Sequence, residues 1–365
     1  MKKLTLNLCV SLLLFSCASN FEEEKNVLLQ SSDKKDLVSS FELTQEESKK
    51  FQAVEVSQNT LPNKNLENKI SKNVGKKKNK SEKSSPIELK NERESEKIIK
   101  KIEEETKYDA NYPESFKKYD LKSKAIWEKF QAKYFVGEQS IMAITYLGVV
   151  AGYITMSSLP LKLINGKEAY HFSCRFKSRD SYRYFYWLDD VLESFVEKST
   201  FLPIKYSLIQ REKKQNVDDL QIFDSKTLKT KSFYKRVKEG SNKNESLETF
   251  IPKYLQDSFS ALQFVRGLPL LKGDHYEFPV VTRGKVWTLK VDVLGEEITS
   301  VNDKDMKAIK IKAETHFPGV LQKSGDIVFW YSADELRKFL KVQAKIKIGS
   351  IFGELVEYKN GVELK

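Results

Sequence analysis

Few side chains of this sequence have the types and spacing that chemistry needs. The histidines, His171, His275 and His316, are far apart and form no H-E-x-x-H or other metal-binding pair. A zinc site takes three or four converging ligands, and no such set is written locally. Asp189-Asp190 would suit acid–base work only if both carboxylates faced one site; neighbours on a strand point to opposite faces. Cys174, in YHFSCRFKS, alternates with its neighbours as a packed strand residue does, and no histidine or oxyanion donor stands beside it. GSIFG at 349–353 has the wrong spacing for a nucleophile elbow, and no phosphate-cradling glycine loop is present. DKDM at 303–306 lacks the glycine and terminal glutamate of a calcium loop and reads as a hairpin turn. No cofactor is implied. The aromatic run Tyr182, Tyr184, Tyr186 and Trp187 is the one cluster that suggests binding: a groove for an acyl chain, glycan or peptide, or else cross-strand core pairs.

Cys17 is different. Lys2 and Lys3 precede an apolar run, Leu4 to Phe15, that is shorter than the roughly 20 residues of a membrane span. These are the parts of a secretory signal peptide. The run ends in Leu14-Phe15-Ser16-Cys17, which resembles a bacterial lipobox, with Phe15 bulkier than the usual residue there. The expectation is a signal peptide over 1–16 and a mature chain held to a membrane by acyl chains on Cys17. In enteric-type envelopes an Asp after the lipobox Cys favours inner-membrane retention, so Ala18 resembles an outer-membrane-sorted lipoprotein, which implies the periplasmic face of that membrane. Cys9 leaves with the signal peptide, so Cys174 has no partner for an intramolecular disulfide.

The formal net charge is +12. For an exported chain without a recognition-helix or RNP-like motif, that charge points to anionic lipid, lipopolysaccharide or cell-wall polymer rather than nucleic acid. From residue 17 to 107 the sequence is rich in Lys, Glu, Ser and Asn. Phe21, Phe41 and Phe51 are its few aromatics, and NVGKKKNKSEKSSP its most biased stretch. Such composition predicts a disordered tether, whose basic residues can touch anionic envelope material. A flexible linker of about 90 residues spans on the order of 50 Å. IELKNERESEKIIKKIEEETK within it has helix-forming Glu/Lys pairs.

Residues 108–365 carry the core. LKVQAKIKIG alternates Leu340, Val342, Ala344, Ile346 and Ile348 with Lys341, Gln343, Lys345 and Lys347, the pattern of a half-buried strand. VWTLKVDVL places Trp287, Leu289, Val291 and Val293 inward and Thr288, Lys290 and Asp292 outward. AYHFSCRFK, YRYFYWL, LPIKYSLIQ and DIVFWYS read as further strands. Pro252 opens a helical spacing through Leu255, Phe259 and Leu262 that Gly267 stops, predicting one packed helix over 252–266. The fold class expected is mainly β: a curled antiparallel sheet, a β-roll or partial barrel, with that helix against it.

These segments also recur in a known order. LGVVAGYITM with Gly148 and Gly152, WLDDVLESFVEKSTFLPIKY ending at Leu202-Pro203, DSFSALQFVRGLPLLKGDHYEFPVV, GKVWTLKVDVLGEE and the closing GDIVFWYSADELRKFLKVQAKIKIGSIFGELVEY resemble the domain of unknown function 3108 family over about 135–358. Leu336 stands where a second basic residue is usual beside Arg337. The resemblance implies an exported, β-rich fold and carries no catalytic residue. The reading is a membrane-anchored envelope module that binds a hydrophobic ligand, glycan or envelope protein. Its alternatives are a hydrolase with a dispersed site and a lipid or lipoprotein carrier.

Overall fold

The computed structural model describes residues 37–41, 43–56, 108–180, 186–316, 324–345 and 349–363. The signal peptide, Cys17 and the helix-forming stretch at 87–107 lie outside them. Two units divide the chain: Met1–Glu55 with Pro113–Lys365, and Val56–Tyr112. In the second, Tyr108 and Tyr112 stack at 4.7 Å between ring centroids.

The first unit is a long curled sheet. Its elements in chain order are α1 (Gln45–Phe51), β1 (Val54–Glu55), α2 (Glu114–Trp127), β2 (Phe135–Val136), β3 (Gln139–Tyr146), β4 (Val149–Ile164), β5 (Lys167–Ser178) and β6 (Asp189–Glu197). Then come β7 (Pro203–Arg211), β8 (Gln215–Asp224), β9 (Lys229–Lys238), β10 (Lys243–Phe250), β11 (Gln256–Asp257), α3 (Ser260–Arg266) and β12 (His275–Thr282). The chain ends with β13 (Lys285–Val301), β14 (Lys304–His316), β15 (Ser324–Ser332), β16 (Phe339–Lys345), β17 (Ser350–Lys359) and β18 (Val362–Glu363). The strands run β10-β9-β8-β7-β6-β5-β4-β3-β17-β16-β15-β14-β13-β12-β11, antiparallel except for the β11–β12 pair. The last strands thus close back beside the first, β17 on β3. No described helix is long and apolar enough to cross a membrane.

Two-residue hairpins set this meander. Leu147-Gly148, Asn165-Gly166, Arg283-Gly284 and Asn302-Asp303 all have positive φ at both positions. That geometry matches the twist of antiparallel strands and favours Asn, Asp and Gly. The hairpin turn expected at 303–306 falls at Asn302-Asp303 instead, with Val301 opposite Lys304 and 304–306 already in β14.

The two rows of the sheet that lack β pairing between them, β10 and β12, meet through side chains. Arg283, at the β12–β13 turn, donates from Nε to Asp219 on β8 at 2.7 Å and lies over the Tyr234 ring of β9. Gly284 sits where a Cβ would meet Leu247 of β10 at 2.9 Å, so the approach needs a glycine. The inner face is filled by α3 and aromatic side chains. Phe264 is fully buried and stacks on Phe130, with Trp127 at 4.1 Å and Phe278 edge-on at 5.1 Å.

The helix is shorter than the periodicity predicts: it begins at Ser260, not Pro252. Asp257 is the cause. Its carboxylate accepts the N–H groups of Phe259 and Ser260 at 2.8 and 2.7 Å and the Ser194 hydroxyl at 2.5 Å. Gln256 and Asp257 themselves pair with Val280 and Val281. The chain before 260 is thus held in a bridge and turn. A second departure is Thr288, expected outward but buried, with the Tyr119 hydroxyl of α2 2.7 Å away.

The third departure concerns the tether expected over 17–107. Residues 37–55 are folded against the outer face of the sheet. A 3-10 turn at Leu37–Ser40 buries Leu37 and Val38, and α1 buries Phe51, against Ile164, Ala169, Phe195, Ile204, Leu220 and Ile222. Phe41 packs on Phe233 at 5.6 Å. Thr44 and Glu47 form a complete capping box that starts α1. β1 then pairs Val54 with Leu163 of β4. Low average hydrophobicity hid a short apolar set that a ready-made surface can bury. Phe51→Ala is expected to lower unfolding stability by about 3 kcal/mol. It should also make residues 37–55 the first site of limited proteolysis; an unchanged urea midpoint with unchanged cleavage would show that the segment contributes nothing.

Candidate functional site

The expected binding residues lie on the connection between β5 and β6. Tyr182 and Tyr184 fall outside the described residues. Tyr186 and Trp187 are not in a strand, contrary to the strand read for YRYFYWL; only Leu188 bridges, to Glu212. Tyr186 packs with Ile144, Phe176, Leu188 and Ile351, and burial raises its hydroxyl pKa. The Trp187 carbonyl accepts the Lys213 N–H at 2.8 Å, tying this connection to the β7–β8 turn.

Asp189 and Asp190 part as their strand positions require. Asp189 faces outward and takes a two-armed contact from Arg175, Nε at 2.7 Å and Nη2 at 2.6 Å. Asp190 faces inward and is buried. Its carboxylate accepts the Arg211 N–H at 2.9 Å and the Gln210 amide at 3.3 Å, and the same amide reaches Glu212 at 3.3 Å. Burial pushes the Asp190 carboxyl up to about 7. Burial first, and the charge of Asp190 second, push Glu212 up to about 8. Two carboxyls sharing one amide donor therefore hold protons near neutrality. Nearby, Arg211 and Asp218 form a buried ion pair at 2.8 Å.

The histidines stay apart. His171 on β5 is buried, stacked on Phe195 at 4.2 Å, with Nε2 2.9 Å from Glu193. His275 is exposed, with Nδ1 2.6 Å from Asp292. His275 and His316 pair across from Asp292 and Thr288, positions four residues apart on β13. Among the described residues no group of three or more His, Cys, Asp or Glu could hold a metal ion. Cys174 is half-buried and packs against the main core.

Inside the sheet, the charged centre is Arg266 at the end of α3. Its guanidinium donates to both oxygens of Glu138 at 2.7 and 2.6 Å and to the Leu336 carbonyl. Tyr358 donates to the same carboxylate at 2.5 Å. The void beside this pair, lined by Glu138, Ser140, Met156, Leu262, Arg266 and Tyr331, is about 20 Å³. That is room for about one water. The larger space is outside: a hollow of about 570 Å³ on β4 and β5, lined by Tyr153, Thr155, Arg175, Lys177, Arg179 and Asp180. It is open, cationic and has one exposed aromatic wall. Sequence reading missed it, because its residues come from two strands and are ordinary outward-facing positions on each. The alternation of Arg175 and Lys177 with Cys174 and Phe176 was the available signal.

These strands are also the ones a family model matches. The model, described as Protein of unknown function (DUF3108), covers residues 142–356. The chain belongs to this family. Its DUF3108 domain thus spans β3 through most of β17, including α3 and both the inner and outer surfaces described above. Among solved structures, the chain is similar to a β-barrel-like protein of domain of unknown function DUF1849 from Brucella abortus, at 13% identity, 63% of this chain, 99% of that one and a TM-score of 0.43. It is also similar to a "putative lipoprotein" from Parabacteroides distasonis, at 8% identity, 63% and 99% coverage and a TM-score of 0.26. A third is a "putative exported protein with YmcC-like fold" from Bacteroides fragilis, at 11% identity, 64% and 100% coverage and a TM-score of 0.25. No curated protein matches the sequence.

The Asp190–Glu212 pair gives the DUF3108 domain a defined pH response. Both carboxyls are raised in the folded state, so the folded chain keeps protons that the unfolded chain has already lost. Stability from these groups is present at low pH and is lost as pH rises through about 7 to 8. The melting temperature is expected to fall between about pH 5, where the unfolded carboxyls have ionised, and about pH 8, where the folded ones do, and Asp190→Asn with Glu212→Gln should flatten that slope. A melting temperature that climbs across this window in the unaltered protein would contradict the assignment.

Proposed function

We propose that the protein is an envelope lipoprotein, anchored through Cys17, whose β domain serves as a non-enzymatic binding or structural module. The observation that carries this is the filled interior. A carrier of lipids or lipoproteins needs an apolar cavity between sheet and helix; Phe264, Trp127, Phe278 and Tyr331 occupy that volume here. A hydrolase needs a base, a nucleophile and oxyanion donors within hydrogen-bond reach of one another. Two charged pairs of the interior, Arg266 with Glu138 and Arg283 with Asp219, are instead consumed by each other, and Asp190 and Glu212 share the Gln210 amide. Binding is left to the outer face, where the hollow of Tyr153, Thr155, Lys177 and Arg179 suits an acidic glycan or an acidic patch on another envelope protein.

The lipobox at 14–17 supports the anchor, and Ala18 favours the periplasmic face of the outer membrane. The docked segment alters the reach of such an anchor. About 20 residues separate Cys17 from Leu37, which extend to at most about 70 Å. The domain would be held close to its membrane rather than at the end of a leash of about 90 residues. Residues 57–107, with the polybasic stretch, then lie in a long insertion between the docked segment and α2.

Metabolic labelling with a palmitate analogue tests the anchor. Cys17→Ala should abolish labelling and move the protein to the soluble fraction. Labelling that persists in the variant would place the modification elsewhere and remove the basis of this reading.

A further inference from the structure

The hairpin tips of the sheet are sorted between two ends, and the ends differ. Strand register traces one of them as a continuous rim. Tyr146 pairs with both Val149 and Ile351, Gly152 with Ser178, Leu188 with Glu212, and Gln215 with Lys238. The tips of β3–β4, β7–β8 and β9–β10 and the described strand ends flanking the β5–β6 and β16–β17 connections therefore lie side by side. The tips of β4–β5, β6–β7, β8–β9, β13–β14 and β15–β16 form the opposite end.

Charge separates the two. The first rim carries Lys177, Arg179, Lys213, Lys214, Lys238 and Lys345, against the exposed acids Asp180 and Glu239 among its described residues. Lys243 on it is paired with Glu245 at 3.0 Å. At the opposite end Lys226, Lys304, Arg337 and Lys338 stand against Asp303, Asp334 and Glu335, while Lys167 meets Glu197 at 2.7 Å, Lys198 meets Glu168 at 3.0 Å and Lys50 of the docked segment meets Asp224 at 2.8 Å, so charge there is close to balanced.

The rim also exposes apolar side chains at its edge. Leu147 is 70% and Val149 49% exposed. Leu147 is the more telling, because it holds φ of 50° as the first residue of a two-residue hairpin. A β-carbon in that conformation costs roughly 1–2 kcal/mol, a cost that Asn and Gly largely escape. Asn165 and Asn302 occupy the equivalent place in two other hairpins of this chain. At 147 a strained backbone holds a leucine whose side chain is mostly in water.

We propose that this rim is a docking face for the surface of an anionic lipid bilayer. Its lysines and Arg179 would sit at the level of the headgroups, each contributing through the surface potential. The side chains of Leu147 and Val149 would enter the boundary between headgroups and acyl chains, a depth of about 5–10 Å. A wall polymer supplies anions but no apolar medium, so it gives Leu147 nothing; the bilayer uses both features. The face does not depend on Cys17 for its chemistry. An acyl anchor with a short connection to the docked segment raises its local concentration at a membrane.

The test uses the chain from residue 18 onward, which keeps every described residue but has neither signal peptide nor acyl chains, so that its result is independent of the anchor. Co-sedimentation is measured with vesicles of phosphatidylcholine alone and with equimolar phosphatidylcholine and phosphatidylglycerol. Binding is expected to the anionic vesicles only, and to weaken as salt is raised. Leu147→Asn places the favoured residue in the turn, so folding is preserved or improved while vesicle binding falls about tenfold, the loss of a largely buried leucine. Lys213→Glu with Lys214→Glu should also weaken binding. Lys226→Glu, at the opposite end, should leave it unchanged. The proposal is overturned if neither vesicle is bound, or if both are bound equally. It is likewise overturned if Leu147→Asn has no effect while the lysine variants do, which would indicate a soluble polyanion. Equal sensitivity to Lys226→Glu would show a diffuse charge effect rather than a face.

Discussion

Arg266 is the constraint on which the architecture rests. A sheet that curls this far turns one face inward, and that face must be filled without leaving a polar group unpaired. Helix α3 does the filling with Phe264, Val265 and Ala261, but seven residues are too few for a helix to stand alone. Its carboxyl end is held by Arg266, which binds Glu138 just before β3 and the Leu336 carbonyl before β16. Those two places are far apart in the chain and adjacent in space. One guanidinium therefore fixes the helix, the start of the central strands and the β15–β16 connection together. Its burial removes strong hydration, so the fork of contacts from Glu138, with Tyr358 on the same carboxylate, is what makes the charge tolerable there. The register of the plug follows, and with it the absence of room beside it for more than about one water.

At the other end of α3 the same logic is carried by Asp257. It caps the helix start through two N–H groups and ties β11 to β6 through Ser194. Burial raises its pKa while these donors act to lower it. The helix is thus fixed at both ends by buried acidic groups that reach across the sheet. This explains why a stripe of Leu255, Phe259 and Leu262 does not produce the longer helix its spacing suggests. Periodicity reports which residues seek burial; it does not report a capping carboxylate that stops the helix from extending backward.

The sequence was most informative where one strand's face decides its partners. The alternation in LKVQAK places β16 and the polar DKDM stretch places the β13–β14 hairpin to within a residue or so, and the ordered resemblance to DUF3108 supplies the rest of the strand succession. Legibility ends where tertiary contact overrides composition. Phe41 and Phe51 are sparse in a hydrophilic stretch, yet a prepared outer face of Ala169, Phe195, Ile204 and Leu220 gives them somewhere to go. The capping box Thr44-x-x-Glu47 was a readable start signal within that stretch. Thr288 was misplaced for the converse reason: a helix covers the side of the strand that alternation assigns to water. The Asp189-Asp190 pair shows both limits. Their opposite facing follows from the strand, whereas the meeting of Asp190 with Glu212 depends on register with β7 and could not be seen in one dimension.

The docked segment links fold to reach. Outside an anchored domain, residues 37–55 would be judged a minor addition to a complete sheet. Their contacts include Lys205 Nζ on the Phe51 carbonyl at 3.1 Å and the Lys231–Glu47 pair, so the segment is bound by buried and charged contacts as well as by apolar ones. All of these lie toward the end of the sheet opposite the cationic rim, as the β1 pairing with Leu163 and the Lys50–Asp224 pair indicate. A connection of about 20 residues can still span the length of a strand of about a dozen residues, some 40 Å, and leave slack. A single membrane holding residue 17 would therefore lie within reach of the rim, and a second surface facing the rim would ask no more of that connection. The docked segment thus turns the orientation of the domain into a question of distance, set by where residue 37 is fixed rather than by the total length of hydrophilic chain.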